Sequence, residues 1–186
     1  MRKHLRKLVQ TATERLYLAT HRRPPPAFVR VAYSNPRQVV LITARSGDEI
    51  DVWPIDWHTP VSLEPDRYAV CLYHKGFGTE LVRRAGCFVV HFVPASWEAT
   101  ILTCGNSSGR HADKFEEHGL KVRNGQRVDA PCIEGVLGRL ECEVETAEKL
   151  GNRLLVIGRV VHSVLAKEGQ QLYHVSTDAP EVREGS

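Results

Sequence analysis

Apolar and polar positions along this chain follow two different periods. Over residues 3–20, Leu5, Leu8, Val9, Ala12, Leu16 and Ala19 recur at helical spacing with Arg, Lys and Glu between them, which predicts an amphipathic N-terminal helix. His21-Arg22-Arg23-Pro24-Pro25-Pro26 ends it, because proline supplies no backbone donor and three in a row make a stiff connector. A basic amphipathic helix can rest on a membrane surface, although more often it packs on its own domain or across a dimer. From Ala27 onward the period is two and strands dominate. Strands are expected over 38–44, 49–52, 67–73, 87–93, 134–146 and 153–165, the last two joined as a hairpin, with a further short one at 172–175. Residues 87–93 are apolar on both faces and so predict a central strand. Short helices are expected over 79–85 and 97–104 and from Asp113, which stands as an N-cap with Glu116 three residues on. Many strands of uneven length with helices inserted between them predict a mainly β, Greek-key barrel with excursions. No Gly-x-Gly-x-x-Gly follows a strand and no P-loop is present, so a dinucleotide-binding α/β fold is disfavoured.

One stretch breaks the alternation. Asp51-Val52-Trp53-Pro54-Ile55-Asp56-Trp57-His58-Thr59-Pro60 holds two tryptophans and two prolines. The prolines predict an irregular segment whose amides are free for a ligand. After the next strand comes His74-Lys75-Gly76-Phe77-Gly78-Thr79, a basic, glycine-rich loop opening a helix. Such a loop suits an anionic group such as phosphate. A site for a flat ring beside a site for a phosphate suggests flavin mononucleotide. Trp53 and Trp57 can equally be core or interface aromatics, and 113–115 can be no more than a capped helix anchored by Phe115.

Composition narrows the class. The chain has 186 residues, 42% hydrophobic and 25% charged, with a formal charge of +3. That describes one ordinary globular domain and is too weakly basic to argue for a nucleic-acid surface. No apolar run is long enough to span a bilayer, and the basic start is followed by polar residues rather than a signal-peptide core; the expected location is the cytoplasm. Five widely spaced cysteines form no Cys-x-x-Cys pair, so neither a disulfide framework nor a zinc site is expected. Cys71, Cys87 and Cys142 fall in strand patterns as small buried hydrophobes. The nine histidines do not suggest a metal; His111 and His118 lack matched ligands.

Five pieces in order carry a resemblance to a known family. They are 35–43 (Asn-Pro-Arg-Gln-Val-Val-Leu-Ile-Thr), 57–65 (Trp-His-Thr-Pro-Val-Ser-Leu-Glu-Pro), 78–90 from Gly-Thr-Glu-Leu-Val to Gly-Cys-Phe-Val-Val, 108–115 (Ser-Gly-Arg-His-Ala-Asp-Lys-Phe), and Leu140–Val144 followed by Ile157–Val161. In this order the sequence resembles the flavin reductase-like proteins and flavoredoxins of the FMN-binding split-barrel fold, over roughly 35–174. The resemblance implies that Trp53, Pro54, Ile55, Asp56, Trp57, His58 and Thr59 lie along the flavin ring. It places His74, Lys75 and Thr79 at the phosphate, Ser107, Ser108 and Gly109 near the ribityl and phosphate side, and Lys114 there as an added charge. It implies a homodimer as well. The domains expected are 1–26 for the helix and connector, 27–178 for the split barrel and 179–186 as a frayed tail.

The departures qualify the function. Asp51 stands where relatives commonly carry Asn, His91 near another such Asn, and Gly151-Asn152-Arg153 replaces a Gly-Asp-His associated with the nicotinamide side. The expected function is an FMN-binding oxidoreductase, an NAD(P)H-dependent flavin reductase-like enzyme passing hydride or electrons through bound flavin. The alternatives are a flavoredoxin-like carrier reduced by a protein partner and a non-catalytic split-barrel binding module. No catalytic side chain is assigned; His58 and His91 are candidates for moving a proton.

Overall fold

The structure is a computed structural model, described over residues 36–174. The chain divides into two compact units, 38–173 and a second made of 1–37 with 174–186; only the first lies wholly within the described residues. The N-terminal helix, the proline connector and the tail lie outside them.

Within 38–173 the chain is mainly β. The strands are β1 (Val40–Ser46), β2 (Glu49–Ile55), β3 (His58–Leu63), β4 (Asp66–Tyr73), β5 (Cys87–Phe92), β6 (Val122–Asn124), β7 (Pro131–Ile133), β8 (Gly138–Leu150) and β9 (Arg153–Leu165). The helices are α1 (Phe77–Ala85), α2 (Glu98–Gly105), preceded by a 3-10 turn, and α3 (Lys114–Glu117). Seven strands form one sheet in the order β2-β1-β5-β8-β9-β4-β3, and β6 and β7 form a separate hairpin. The pairings in the sheet are antiparallel.

That order contains the explanation for the barrel. β2 and β3 are the two outermost strands of the sheet, yet only Asp56 and Trp57 separate them in sequence. Three Cα steps reach at most about 11 Å, so the two edges are drawn together there and the sheet has to curl. The alternation on β1 divides the interior. Val40, Ile42 and Ala44 join Val70, Leu72, Phe88, Val90 and Val156 in one core, which α1 closes with Leu81 and Val82. Leu41 turns the other way, to Val52, Ile101, Cys104, Phe115 and Ile133. With both faces covered, β5 is as central as its apolar run predicts. Gly86 ends α1 in the left-handed region at φ +67°, its N–H bonded to the Val82 carbonyl, which glycine adopts without a steric penalty.

The segment 51–60 corrects the expectation of irregularity. Pro54 lies within β2, opposite Leu41, and Pro60 within β3, opposite Tyr68. Both strands are sheet edges, where a missing N–H can face away from the ladder and proline is tolerated. Two other elements were not anticipated, strand β3 itself and the β6–β7 hairpin.

Both candidate histidines are committed to the fold. His91 is fully buried, its Nδ1–H donating to the Leu41 carbonyl at 3.3 Å and its Nε2 accepting from the Ile133 N–H at 3.0 Å. Burial pushes its pKa down to about 3, helped by the Arg139 charge and opposed by the Leu41 bond and Glu141. The sign follows: an unfolded His91 binds a proton below about 6.5 and the folded one does not. The stability this group contributes is therefore whole above pH 6.5 and lost as pH falls toward 3, at about 1.4 kcal/mol per pH unit. Urea unfolding between pH 7 and 4 should show this slope, and His91→Gln should flatten it; an unchanged slope in the variant would exclude His91 as its source. His58 is likewise held, donating from Nε2 to the Gln38 carbonyl at 2.9 Å and accepting at Nδ1 from the Tyr68 hydroxyl at 2.7 Å.

Candidate functional site

Where the sheet edges meet, a cleft of about 320 Å³ opens between β2, the β2–β3 link, the start of α1 and the loop after α2. Of the residues singled out from sequence, Trp53, Pro54, Ile55, Asp56, Trp57, Thr79, Ser107, Ser108 and Lys114 line it. His58, Thr59, His74, Lys75 and Gly109 are not among its lining residues. His58 points to Tyr68 as described, and Thr59 and Lys75 are exposed. His74 pins the turn before α1 to the β8–β9 hairpin, Nδ1 and the backbone N–H both donating to the Asn152 carbonyl, at 2.8 and 3.3 Å. Gly109 stands behind the wall, its N–H donating to the Asp51 carboxylate.

Three glycines press against the edge strand β2. A methyl at Gly78 would overlap the indole of Trp53, one at Gly109 would overlap the Asp51 carboxylate, and one at Gly105 would come 3.1 Å from Pro54 Cγ. Glycine lets backbone approach closely where a side chain could not, and these approaches set one wall of the cleft. Arg110 ties the loop to α1, bonding Glu80 at 2.6 Å and lying 4.6 Å above the Phe77 ring.

The start of α1 is built for an anion. Its N-cap, Gly76, offers no side-chain oxygen, so the first-turn amides have no capping partner. Gly76, Phe77, Gly78 and Thr79 all line the cleft. The Thr79 hydroxyl donates to the Tyr73 carbonyl at 2.9 Å, which leaves its oxygen free to accept only. Across the cleft, the Ser107 hydroxyl oxygen is buried with no hydrogen-bond partner, an unmet polar atom of the kind a ligand satisfies.

At the wall formed by β2, Asp51 and Lys114 form a buried ion pair. Lys114 Nζ lies 2.9 Å from Asp51 Oδ1 and donates to the Val52 carbonyl at 2.8 Å, and the two side chains are 2% and 4% exposed, Lys114 first. Asp51 Oδ1 also accepts the Val52 N–H at 2.8 Å. Burial pushes the Asp51 carboxyl above its ordinary range, against the pull of Lys114 and the amide donors. Both residues line the cleft. The Lys114 charge is therefore compensated within the wall rather than free for a phosphate.

Sequence reasoning left seven lining residues out of the assigned site: Gly76, Phe77 and Gly78, which it read only as part of the glycine-rich loop, and Asp51, Cys71, Tyr73 and Arg153. The Arg153 guanidinium lies 4.7 Å from the centre of the Trp57 ring, and its N–H groups make no hydrogen bond among the described residues. Cys71 is half-buried rather than buried; burial raises its thiol pKa, opposed by Arg153. A cysteine in a strand pattern gives no sign of which face it occupies. Arg153 and Tyr73 sit opposite each other on β9 and β4, a pairing no local motif reveals.

Comparison with known proteins agrees with this arrangement. The family model described as a flavin reductase like domain matches residues 32–182. A flavin reductase from Pseudomonas putida is 27% identical over 137 residues, 73% of this chain and 77% of that protein. Among solved structures, an FMN-binding protein from Thermus thermophilus, with bound p-hydroxybenzaldehyde, superposes with a TM-score of 0.73 at 24% identity, covering 83% of this chain and 88% of its own. A flavoredoxin from Methanosarcina acetivorans superposes with a TM-score of 0.67 at 19% identity, covering 81% and 91%. The fold is thus the FMN-binding split barrel expected from the order of motifs. With the family model spanning most of its length, this chain belongs to the flavin reductase like domain family, as a flavin-dependent oxidoreductase.

Proposed function

We propose that the cleft holds FMN and that the protein is an NAD(P)H-dependent flavin reductase-like enzyme. The observation that carries this reading is the pairing of an aromatic, β2-lined wall with the uncapped start of α1 and the orphaned Ser107 oxygen in one cleft. Trp53 and Trp57 offer apolar surface to a ring system. The amides of Phe77, Gly78 and Thr79, with the hydroxyls of Ser107 and Ser108, offer donors to a phosphate. The donor set fits the group, and Lys75 adds a cation at the same end of α1. Bound flavin would supply the redox chemistry, taking two electrons as hydride from a reduced nicotinamide and delivering them to an acceptor. The part of the chain is to bind, orient and shield. The same reading carries a cytoplasmic homodimer; Tyr73 and Leu150, exposed on either side of Arg153, are apolar surface that a second copy can cover.

A specific observation favours a second reading, an electron carrier of the flavoredoxin kind. Arg153 lies over Trp57 and lines the cleft, at the position where the family resemblance puts a histidine associated with the nicotinamide side. The test is an absorbance spectrum of the full chain incubated with FMN and desalted, followed by anaerobic NADH and NADPH. Retained flavin that bleaches with either nucleotide is the expected result. Retained flavin that does not bleach would move the assignment to the carrier. Loss of flavin on desalting, with no turnover of free FMN, would remove the reading.

A further inference from the structure

The charges in the cleft wall cancel, and that cancellation has a use. Lys114 and Asp51 come from α3 and β2, line the same cleft and are both almost fully buried. Gly109 is placed where any side chain would expel the Asp51 carboxylate, and its N–H helps to hold that group. Two of the three ammonium N–H groups of Lys114 are taken by Asp51 and the Val52 carbonyl, which leaves the third for the occupant of the cleft. Burying either charge alone would be far more costly than burying both together.

We propose that the Asp51–Lys114 pair is a charge-balanced element of the flavin site that sets how readily the bound ring accepts electrons. This rests on the flavin reading above and goes beyond it. Lys114 keeps one ammonium N–H for the occupant of the cleft, while Asp51 removes most of the field that a lone cation would impose. A bound flavin would supply the redox chemistry: accepting hydride (two electrons and one proton) from a reduced nicotinamide, itself oxidised, would add one negative charge to the ring, to be cancelled by a solvent proton. An unbalanced ammonium in a water-poor wall would stabilise that charge strongly; the balanced pair does so weakly. Asp51 and Lys114 are therefore positioning residues, acting on the cofactor's equilibrium rather than on a proton in flight.

The test is the midpoint potential of bound FMN, read by anaerobic reductive titration against reference dyes at pH 7.5. The proteins are the wild type, Asp51→Asn, Asp51→Ser and the double variant Asp51→Asn/Lys114→Gln. Either single substitution leaves Lys114 uncompensated and should shift the two-electron equilibrium at least tenfold toward the reduced flavin, about 30 mV. The double variant should return to within threefold of the wild type. Using two single variants means that failure of one to fold does not remove the test. Equilibria within twofold of the wild type in the single variants would overturn the proposal, leaving the pair a purely structural bridge. So would an equal shift in single and double variants, which would trace the effect to geometry instead of charge. Wild-type protein that retains no FMN shows no flavin spectrum at the outset, and that result would remove the flavin reading together with this proposal, before any potential is read.

Discussion

Lys114→Met should lower the free energy of unfolding by about 3–5 kcal/mol at pH 8, the cost of leaving a buried charge without its partner. The deficit should shrink in acid. In the wild type burial already holds the Asp51 carboxyl above 3.8, and removing the ammonium can only raise it further. A carboxyl whose folded pKa exceeds its unfolded value contributes stability that is whole below the unfolded value and lost as pH rises through the folded one. The variant is thus closest to the wild type on the acid side, where Asp51 takes up its proton and the uncompensated charge is gone. Urea midpoints at pH 5 and pH 8 measure this. A deficit of equal size at both would mean that Asp51 is not the group left behind, and that Lys114 contributes mainly through its packing and its bond to the Val52 carbonyl.

Gly78→Ala is expected to cost both stability and ligand. In an exposed helix this exchange stabilises by about 1 kcal/mol, but here a methyl would overlap the indole of Trp53. Trp53 packs against the barrel core, so it has to turn away from its place or α1 has to lift. Overpacking of this kind costs about 1–3 kcal/mol, and either movement breaks the wall between the rings and the α1 amides. FMN affinity, followed by quenching of tryptophan fluorescence, should fall at least tenfold. Gly105→Ala is the natural control, because its methyl would meet only the Pro54 ring at 3.1 Å and a shift of a few tenths of an ångström relieves it. Wild-type affinity in Gly78→Ala would show that the close approach of α1 to Trp53 does not shape the site.

These two sites differ in how visible they are along the chain. The glycine-rich loop before α1 and the paired tryptophans can be read locally, because φ freedom and ring chemistry belong to the residues themselves. So can the Asp113 cap, whose carboxylate accepts from Phe115 and Glu116 as the spacing implies, at 2.9 and 3.2 Å. The bond from Lys114 to the Val52 carbonyl spans 62 residues, and nothing near either residue announces it. The family resemblance put Lys114 on the ribityl and phosphate side as an added charge; that the charge is paired with Asp51 is visible only in the fold. Pro54 and Pro60 misled for a related reason. A proline's cost to a strand depends on whether the strand has a neighbour on its N–H side, and that is a property of the sheet.

From its sequence alone this chain was determined to be a mainly β barrel with short helices, because period-two alternation, β-branched runs and turn glycines are local consequences of backbone geometry and burial. The sequence also determined the chemistry available, namely aromatic surface, a basic, glycine-rich loop opening a helix and a mild charge; that the helix starts at Phe77 behind Gly76, without a capping side chain, is the structure's finding. Only the tertiary structure decided which of those groups share a cleft. It joined the two sheet edges through Asp56 and Trp57, turned His58 to Tyr68 and His91 into the sheet, and set Arg153 on Trp57. It also neutralised Lys114 with Asp51. The physical reason is that propensity acts between neighbours in the chain, whereas burial, charge compensation and edge position act between neighbours in space.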